Sequence, residues 1–113
     1  MKEQPLMEAG RETILDLAAE TRFVTAGIAS RTVLSTGSMR VLLFGFTEGQ
    51  QLTEHTSTQN ALIQILSGEC EFTLAGKVHG LKSGDLLFMP AGLVHAVRAT
   101  QQFSMLLTLS KPD

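Results

Sequence analysis

Three histidines and one cysteine give this chain most of its chemical reach. An imidazole can move a proton near neutral pH or ligate a transition metal. His55 stands in "TEHTSTQN", among threonines and serines just ahead of an apolar run. It reads either as a metal ligand short of companions or as a polar residue in a pocket that holds no metal. His95 follows "MPAGLV", where Pro90 keeps Met89 extended, and Gly92 permits a tight turn that sets the direction of His95. His79, in "KVHGLKSG", reads as a solvated residue on a hairpin edge. Cys70, in "ECEFTL", shares a period-2 face with Phe72 and Leu74. No neighbouring histidine or cation cluster favours its thiolate, so it reads as a small buried hydrophobe.

The elements that must position these residues are short. "ETILDLAAET" places Ile14, Leu15, Ala18 and Ala19 at helical spacing, which predicts a short N-terminal helix. From residue 31 the pattern is of strands. "RTVLS" and "MRVLLFGF" flank a turn at Thr36-Gly37-Ser38, a strand is expected over 52–56, and a polar loop over 57–60. Then come "ALIQILSG", "ECEFTLAG", "KVHGLKSG", "DLLFMPAG", "LVHAVRA" and "FSMLLTL", punctuated by glycines at 45, 49, 68, 76, 80, 84 and 92. Many short strands without long helices between them predict an all-β fold, a sandwich or barrel of antiparallel strands. The expected organisation is an N-terminal segment, 1–30, packed on the barrel or on a dimer partner, and a barrel over 31–113. The strand at 61–67 is apolar on both faces, with Ala61, Ile63 and Ile65 on one and Leu62 and Leu66 flanking Gln64 on the other. Each face must be covered by a second sheet, the N-terminal segment or another subunit, so a homodimer is expected.

Composition excludes several partners. A net charge of −2 offers no basic footprint for nucleic acid, and Trp and Tyr, the usual stacking platforms, are absent. The stretch "MKEQPLMEAG" lacks a signal-peptide core, and no window approaches the roughly 18 apolar residues of a membrane span. The expected partners are therefore neither nucleic acid nor membrane, and the expected compartment is the cytoplasm. With 43% hydrophobic and 18% charged residues in 113, the chain has a globular composition and length enough for one core.

Two stretches have a more specific spacing. Gly49 is followed after five residues by His55 and later by Gly68; Gly84 is followed after five by Pro90, then by Gly92 and His95. Here the chain resembles the cupin superfamily of small single-domain barrels, whose motifs are G-x5-H-x-H-x3,4-E-x6-G and G-x5-P-x-G-x2-H-x3-N. The resemblance implies a double-stranded β-helix, or jelly roll. In metal-binding cupins it also implies four ligands, which fall here on His55, Ser57, Ala61 and His95. Two of the four are not ligand types, and the closing asparagine is Ala99.

The family geometry would bring His55 and His95 together inside the barrel, with strand alternation placing Thr53, His55 and Ser57 on one face. The candidate pocket then comprises His55, Ser57, Gln59, Ala61, Ile63, Phe44, Phe46, Met89, His95 and Met105, with Leu107 as a further apolar wall. Two histidines suit zinc, iron, manganese, nickel or copper, yet metal sites of this kind generally use three protein ligands. A cofactor of this class and the absence of any cofactor both stay open. Two functions follow. One is a small-molecule-binding protein in which the histidines orient a polar group of the ligand. The other is a metal-dependent enzyme, of dioxygenase or isomerase type by the resemblance, with the metal on His55 and His95. Metal-free acid/base catalysis by a histidine is a third option.

Overall fold

In the computed structural model, residues 4–113 are described. Nine strands follow a single helical turn, α1 (Leu17–Glu20): β1 (Ile28–Ser35), β2 (Met39–Phe46), β3 (Gln51–His55), β4 (Asn60–Ser67), β5 (Glu69–Leu74), β6 (Lys77–Lys82), β7 (Leu86–Met89), β8 (His95–Arg98) and β9 (Phe103–Ser110). They form two antiparallel sheets, one in the order β1-β2-β9-β4-β7 and the other β3-β8-β5-β6. Among the described residues no helix is long and apolar enough to cross a membrane.

The predicted strands all form, and the small differences have local causes. The helix is limited to 17–20 because the Asp16 carboxylate accepts the N–H groups of Ala18 and Ala19 and so caps it there. Ile14, placed on the helix by periodicity, is instead 99% exposed ahead of it. The β1–β2 hairpin closes through Thr36, whose hydroxyl accepts the N–H groups of Ser38 and Met39. The first strand begins at Ile28, upstream of the expected boundary.

The inward faces follow from the register. Phe46 pairs with Phe103, Phe44 with Met105 and Leu42 with Leu107. From the other sheet come Cys70, Phe72 and Val97, which join Ile63, Ile65 and Met89 in one buried cluster. Phe46, Phe72 and Phe103 are all but fully buried, and burial of each such side chain stabilises the fold by about 1.5–3 kcal/mol. Phe46 and Phe103 stack with centroids 4.6 Å apart.

The described part of the N-terminal segment runs along the edge strand β1 and crosses β2 at Gly45. The N–H groups of Leu6 and Met7 donate to the carbonyls of Thr32 and Val33, and the Arg31 guanidinium pairs with Glu20 at 2.9 Å. The Arg22 carbonyl approaches Gly45 so closely that a Cβ there would collide with it, which is why glycine is needed at that point. Leu43 and Val33 on these strands are buried. Leu66 sits near Leu17 and Phe23 of the N-terminal segment, whereas Leu62, Leu86 and Phe88 further along the same face are 41%, 65% and 56% exposed.

Candidate functional site

His55 ends β3 and His95 begins β8, and the two are directly opposed in the antiparallel pairing. Their rings meet at an angle of 61° with centroids 4.2 Å apart. Each ring is fixed in the same way. The Nδ1 of His55 is 2.7 Å from the carbonyl of Thr53, and that of His95 is 2.8 Å from the carbonyl of Leu93. A carbonyl oxygen can only accept, so each Nδ1 carries the hydrogen, and in a neutral ring Nε2 keeps the lone pair.

A register shift between Leu52 and His55 is the local device behind this arrangement. Leu52 opposes Val97 and His55 opposes His95, so one extra residue is accommodated on β3. The expected grouping of Thr53 with His55 is corrected here. Strict alternation fails across the bulge: Leu52 and His55 line the cavity, while Thr53 does not. Thr53 serves His55 through its carbonyl instead.

The loops at this end of the barrel hold each other. The Gly92 N–H donates to the Ser57 carbonyl at 2.8 Å and the Ala91 N–H to the Asn60 side chain at 3.0 Å. Gly92 has φ of 88°, a left-handed conformation natural to glycine. The turn closes as Leu93 N–H meets the Pro90 carbonyl, delivering His95 into the barrel two residues later. The Ser57 hydroxyl accepts the Gln59 N–H.

Behind the histidines is a cavity of about 490 Å³, within the range of small-molecule sites. Its polar wall is His55, Thr56, Ser57, Thr58 and His95. Its apolar wall is Phe44, Leu52, Ile63, Phe72, Met89, Val97, Met105, Leu107 and Leu109. None of these lining residues is Asp, Glu, Lys or Arg. Of the sequence-derived candidates, His55, Ser57, Ile63, Phe44, Met89, His95 and Met105 surround the cavity, as does Leu107. Gln59, Ala61 and Phe46 do not. Ala61 and Phe46 are 4% and 0% exposed within the packed core, and Gln59 lies in the loop, where its backbone caps Ser57.

Other lining residues were not foreseen. Val97 and Phe72 could have been found by alternation, since Val97 lies two residues beyond His95 and opposes Phe72. Thr56 and Thr58 had only their nearness to His55 as a signal, and Leu52 needed the bulge.

The donor set does not fit a tightly held metal. Among the described residues no three His, Cys, Asp or Glu side chains come together. At the two remaining implied ligand positions, Ser57 offers a hydroxyl and Ala61 a buried methyl. Two imidazoles fall short of the three protein ligands that open sites generally use. His79 is half-buried on the edge strand β6, paired with Phe72, and Glu54 is exposed; neither lines the cavity. Cys70 is buried and its thiol is pushed up to about 12, first by burial and then by the charges of Asp85 and Glu71, so it stays protonated and unreactive near neutral pH.

Two opposed antiparallel sheets around an end-on cavity with motif histidines at its mouth define a double-stranded β-helix domain. Residues 42–109 match the cupin domain family, and the chain belongs to it. A conserved protein of unknown function from Streptococcus pyogenes has the same fold with a TM-score of 0.83 and 31% identity, over 100% of this chain and 97% of that one. A cupin superfamily protein from Desulfitobacterium hafniense also superposes with a TM-score of 0.83, at 25% identity over 96% and 99% of the two chains. An uncharacterized protein from Aquifex aeolicus is 31% identical over 68 residues. That match spans 60% of this chain and about half, 56%, of the relative.

Proposed function

We propose that this cupin domain binds a small molecule, which enters between the 56–59 and 90–94 loops and meets His55 and His95. The observation that carries the proposal is the pair of carbonyl-anchored imidazoles, 4.2 Å apart, at the head of an uncharged cavity whose other polar residues are Thr56, Ser57 and Thr58. Anchored rings cost a ligand little ordering, which is how a largely preformed site favours binding. The test is an amide NMR titration with benzyl alcohol as probe. Shifts should concentrate at residues 55–58, 72 and 95–97, and Met105→Trp, which fills the cavity, should abolish them. Shifts elsewhere, or shifts that persist in the filled variant, overturn the proposal.

The alternative, a metal-dependent enzyme of dioxygenase or isomerase type, draws support from the cupin fold and from two free Nε2 atoms. Ser57 and Ala61 weigh against it. Elemental analysis of untagged protein separates the two readings: about one transition metal per chain, lost in either His55→Ala or His95→Ala, would support the enzyme reading.

We further propose a homodimer through the outer face of β4 and β7. Leu62, Leu86 and Phe88 stand together there, since Leu62 pairs with Phe88 and Gln64 with Leu86. On the adjoining strand Leu62 faces Thr108 and Gln64 faces Leu106, so no charged side chain interrupts the face. An uncharged apolar surface suits a second copy of itself better than a charged partner. Leu86→Glu with Phe88→Glu should yield a monomer in analytical ultracentrifugation; an unchanged mass for the variant refutes this interface. A single buried cysteine accords with a cytoplasmic setting, where disulfides are rare.

A further inference from the structure

Building on the small-molecule proposal, we infer that the ligand is a neutral molecule with an aromatic or branched apolar body and one hydroxyl, which donates to Nε2 of His95. His95 is 9% exposed and its Nδ1 is committed to the Leu93 carbonyl. Its Nε2 bonds to no protein group, yet among the described residues no buried side-chain nitrogen or oxygen lacks a partner. Nε2 is therefore reached by solvent, and the cavity that His95 lines is where a ligand meets it. In the neutral ring it is an acceptor and calls for a donor. His55 is exposed, so water satisfies its own Nε2.

The neighbouring wall completes the requirement. The Ser57 oxygen already accepts the Gln59 N–H, which leaves its hydroxyl hydrogen free to donate. One hydroxyl on the ligand meets both needs, giving a hydrogen bond to Nε2 and accepting one from Ser57. With no Lys or Arg in the lining, a carboxylate would lose its hydration for no opposing charge, and with no Asp or Glu an ammonium group fares equally badly. A sugar is also disfavoured, because the apolar wall that includes Phe44, Phe72, Ile63 and Met105 would leave most of its hydroxyls unbonded.

The experiment compares four probes of one shape, 4-ethylphenol, 4-ethylanisole, 4-ethylbenzoate and 4-ethyltoluene, by NMR titration at pH 8.5, where free imidazole is uncharged. 4-Ethylphenol should bind about tenfold more tightly than the other three, the size of one hydrogen bond with a buried acceptor. His95→Phe should erase that preference while His79→Phe, outside the cavity lining, retains it. Equal affinity for phenol, anisole and toluene would overturn the hydroxyl inference and leave the binding cavity standing. A preference for the benzoate would also overturn it. Failure of every probe to bind the wild-type protein would overturn both this inference and the small-molecule proposal. The wild-type comparison needs no variant to fold.

Discussion

The two ends of the barrel interior use the same strands to opposite effect. At one end Phe46, Phe103, Ile65 and Cys70 are at most 1% exposed and leave no room. At the other, Phe44, Met105, Leu107 and Leu109 come from the same β2 and β9 strands yet border a cavity closed off by two histidines and three hydroxyl residues. The difference lies in what crosses from the second sheet. Cys70 joins the packed cluster and Phe72, also in it, turns to wall the cavity, whereas the open end receives imidazoles, which are tied to carbonyls of their own strands and loops. Packing is concentrated at one end, which leaves room for the cavity at the other.

The largest effect that would break this comparison is at Phe103. Phe103→Ala should cost about 3–5 kcal/mol in urea unfolding, since its neighbours cannot collapse onto the void. Phe44→Ala, which already faces the cavity, should cost only about 1–2 kcal/mol for its partial burial. Equal losses would mean that the open end is as tightly packed as the other and that the cavity is closed in solution.

A second contrast sets Gly68 against Gly92, each in a left-handed conformation. A Cβ on Gly68 would run into the backbone of Gln102 and Phe103, whereas one on Gly92 would meet nothing within 4 Å. Gly68→Ala should therefore lose about 2–4 kcal/mol, clash and strain together. Gly92→Ala should lose about 1 kcal/mol of strain alone but weaken probe binding, because the turn that delivers His95 shifts. Unfolding curves and 4-ethylphenol titrations on both variants check this.

Much of this contrast was legible in the sequence, and the reasons for what was not are physical. The spacing of Gly84, Pro90 and Gly92 foretold where His95 turns inward, because turn chemistry is local. Apolar character marked Ile63, Phe44 and Met105 as cavity candidates, and alternation put Ile63 on one face with Ala61. Neither could say that Phe46 and Ala61 fall in packed core rather than cavity, because depth along the barrel depends on register between strands far apart in sequence. The bulge at Thr53 was equally hidden, since one extra residue inverts the period-2 pattern without any glycine or proline to announce it. The exposed face at Leu62 was foreseen in outline from the two-sided apolar pattern of β4, while its partition between the N-terminal segment and open surface was not.

Cys70 gives the packed end a pH signature. Burial pushes its thiol up to about 12 from an ordinary value of 9.0, so in the unfolded chain it ionises first. The folded state is fully favoured below pH 9 and loses ground as pH rises through the interval up to 12, at no more than about 1.4 kcal/mol per pH unit. Between pH 8 and pH 10 the wild type should lose roughly 1 kcal/mol more than Cys70→Ala, in paired urea melts. Parallel loss in both proteins would show that Cys70 is hydrated and that this end is looser than its burial indicates.

The smallest expected effect lies at the open end, in the β5–β6 turn. Ala75 and Gly76 have φ of 48° and 85°, positive at both central positions, as a type I′ hairpin requires. Glycine accepts this freely, but alanine brings its Cβ toward the following carbonyl. The turn is held because the Ala75 N–H donates to the carbonyl of Val94 at 2.9 Å, beside His95, and Leu74 pairs with His95 itself. Some strain is therefore retained next to the candidate site and none is needed for packing there. Ala75→Asn keeps the N–H and suits the left-handed backbone, so it should raise stability by about 0.5–1 kcal/mol in thermal unfolding while leaving 4-ethylphenol affinity unchanged. A gain in stability accompanied by weaker binding would show that the strained turn itself holds His95 in its binding position, extending the recognition apparatus from the two loops at the mouth to the hairpin behind them.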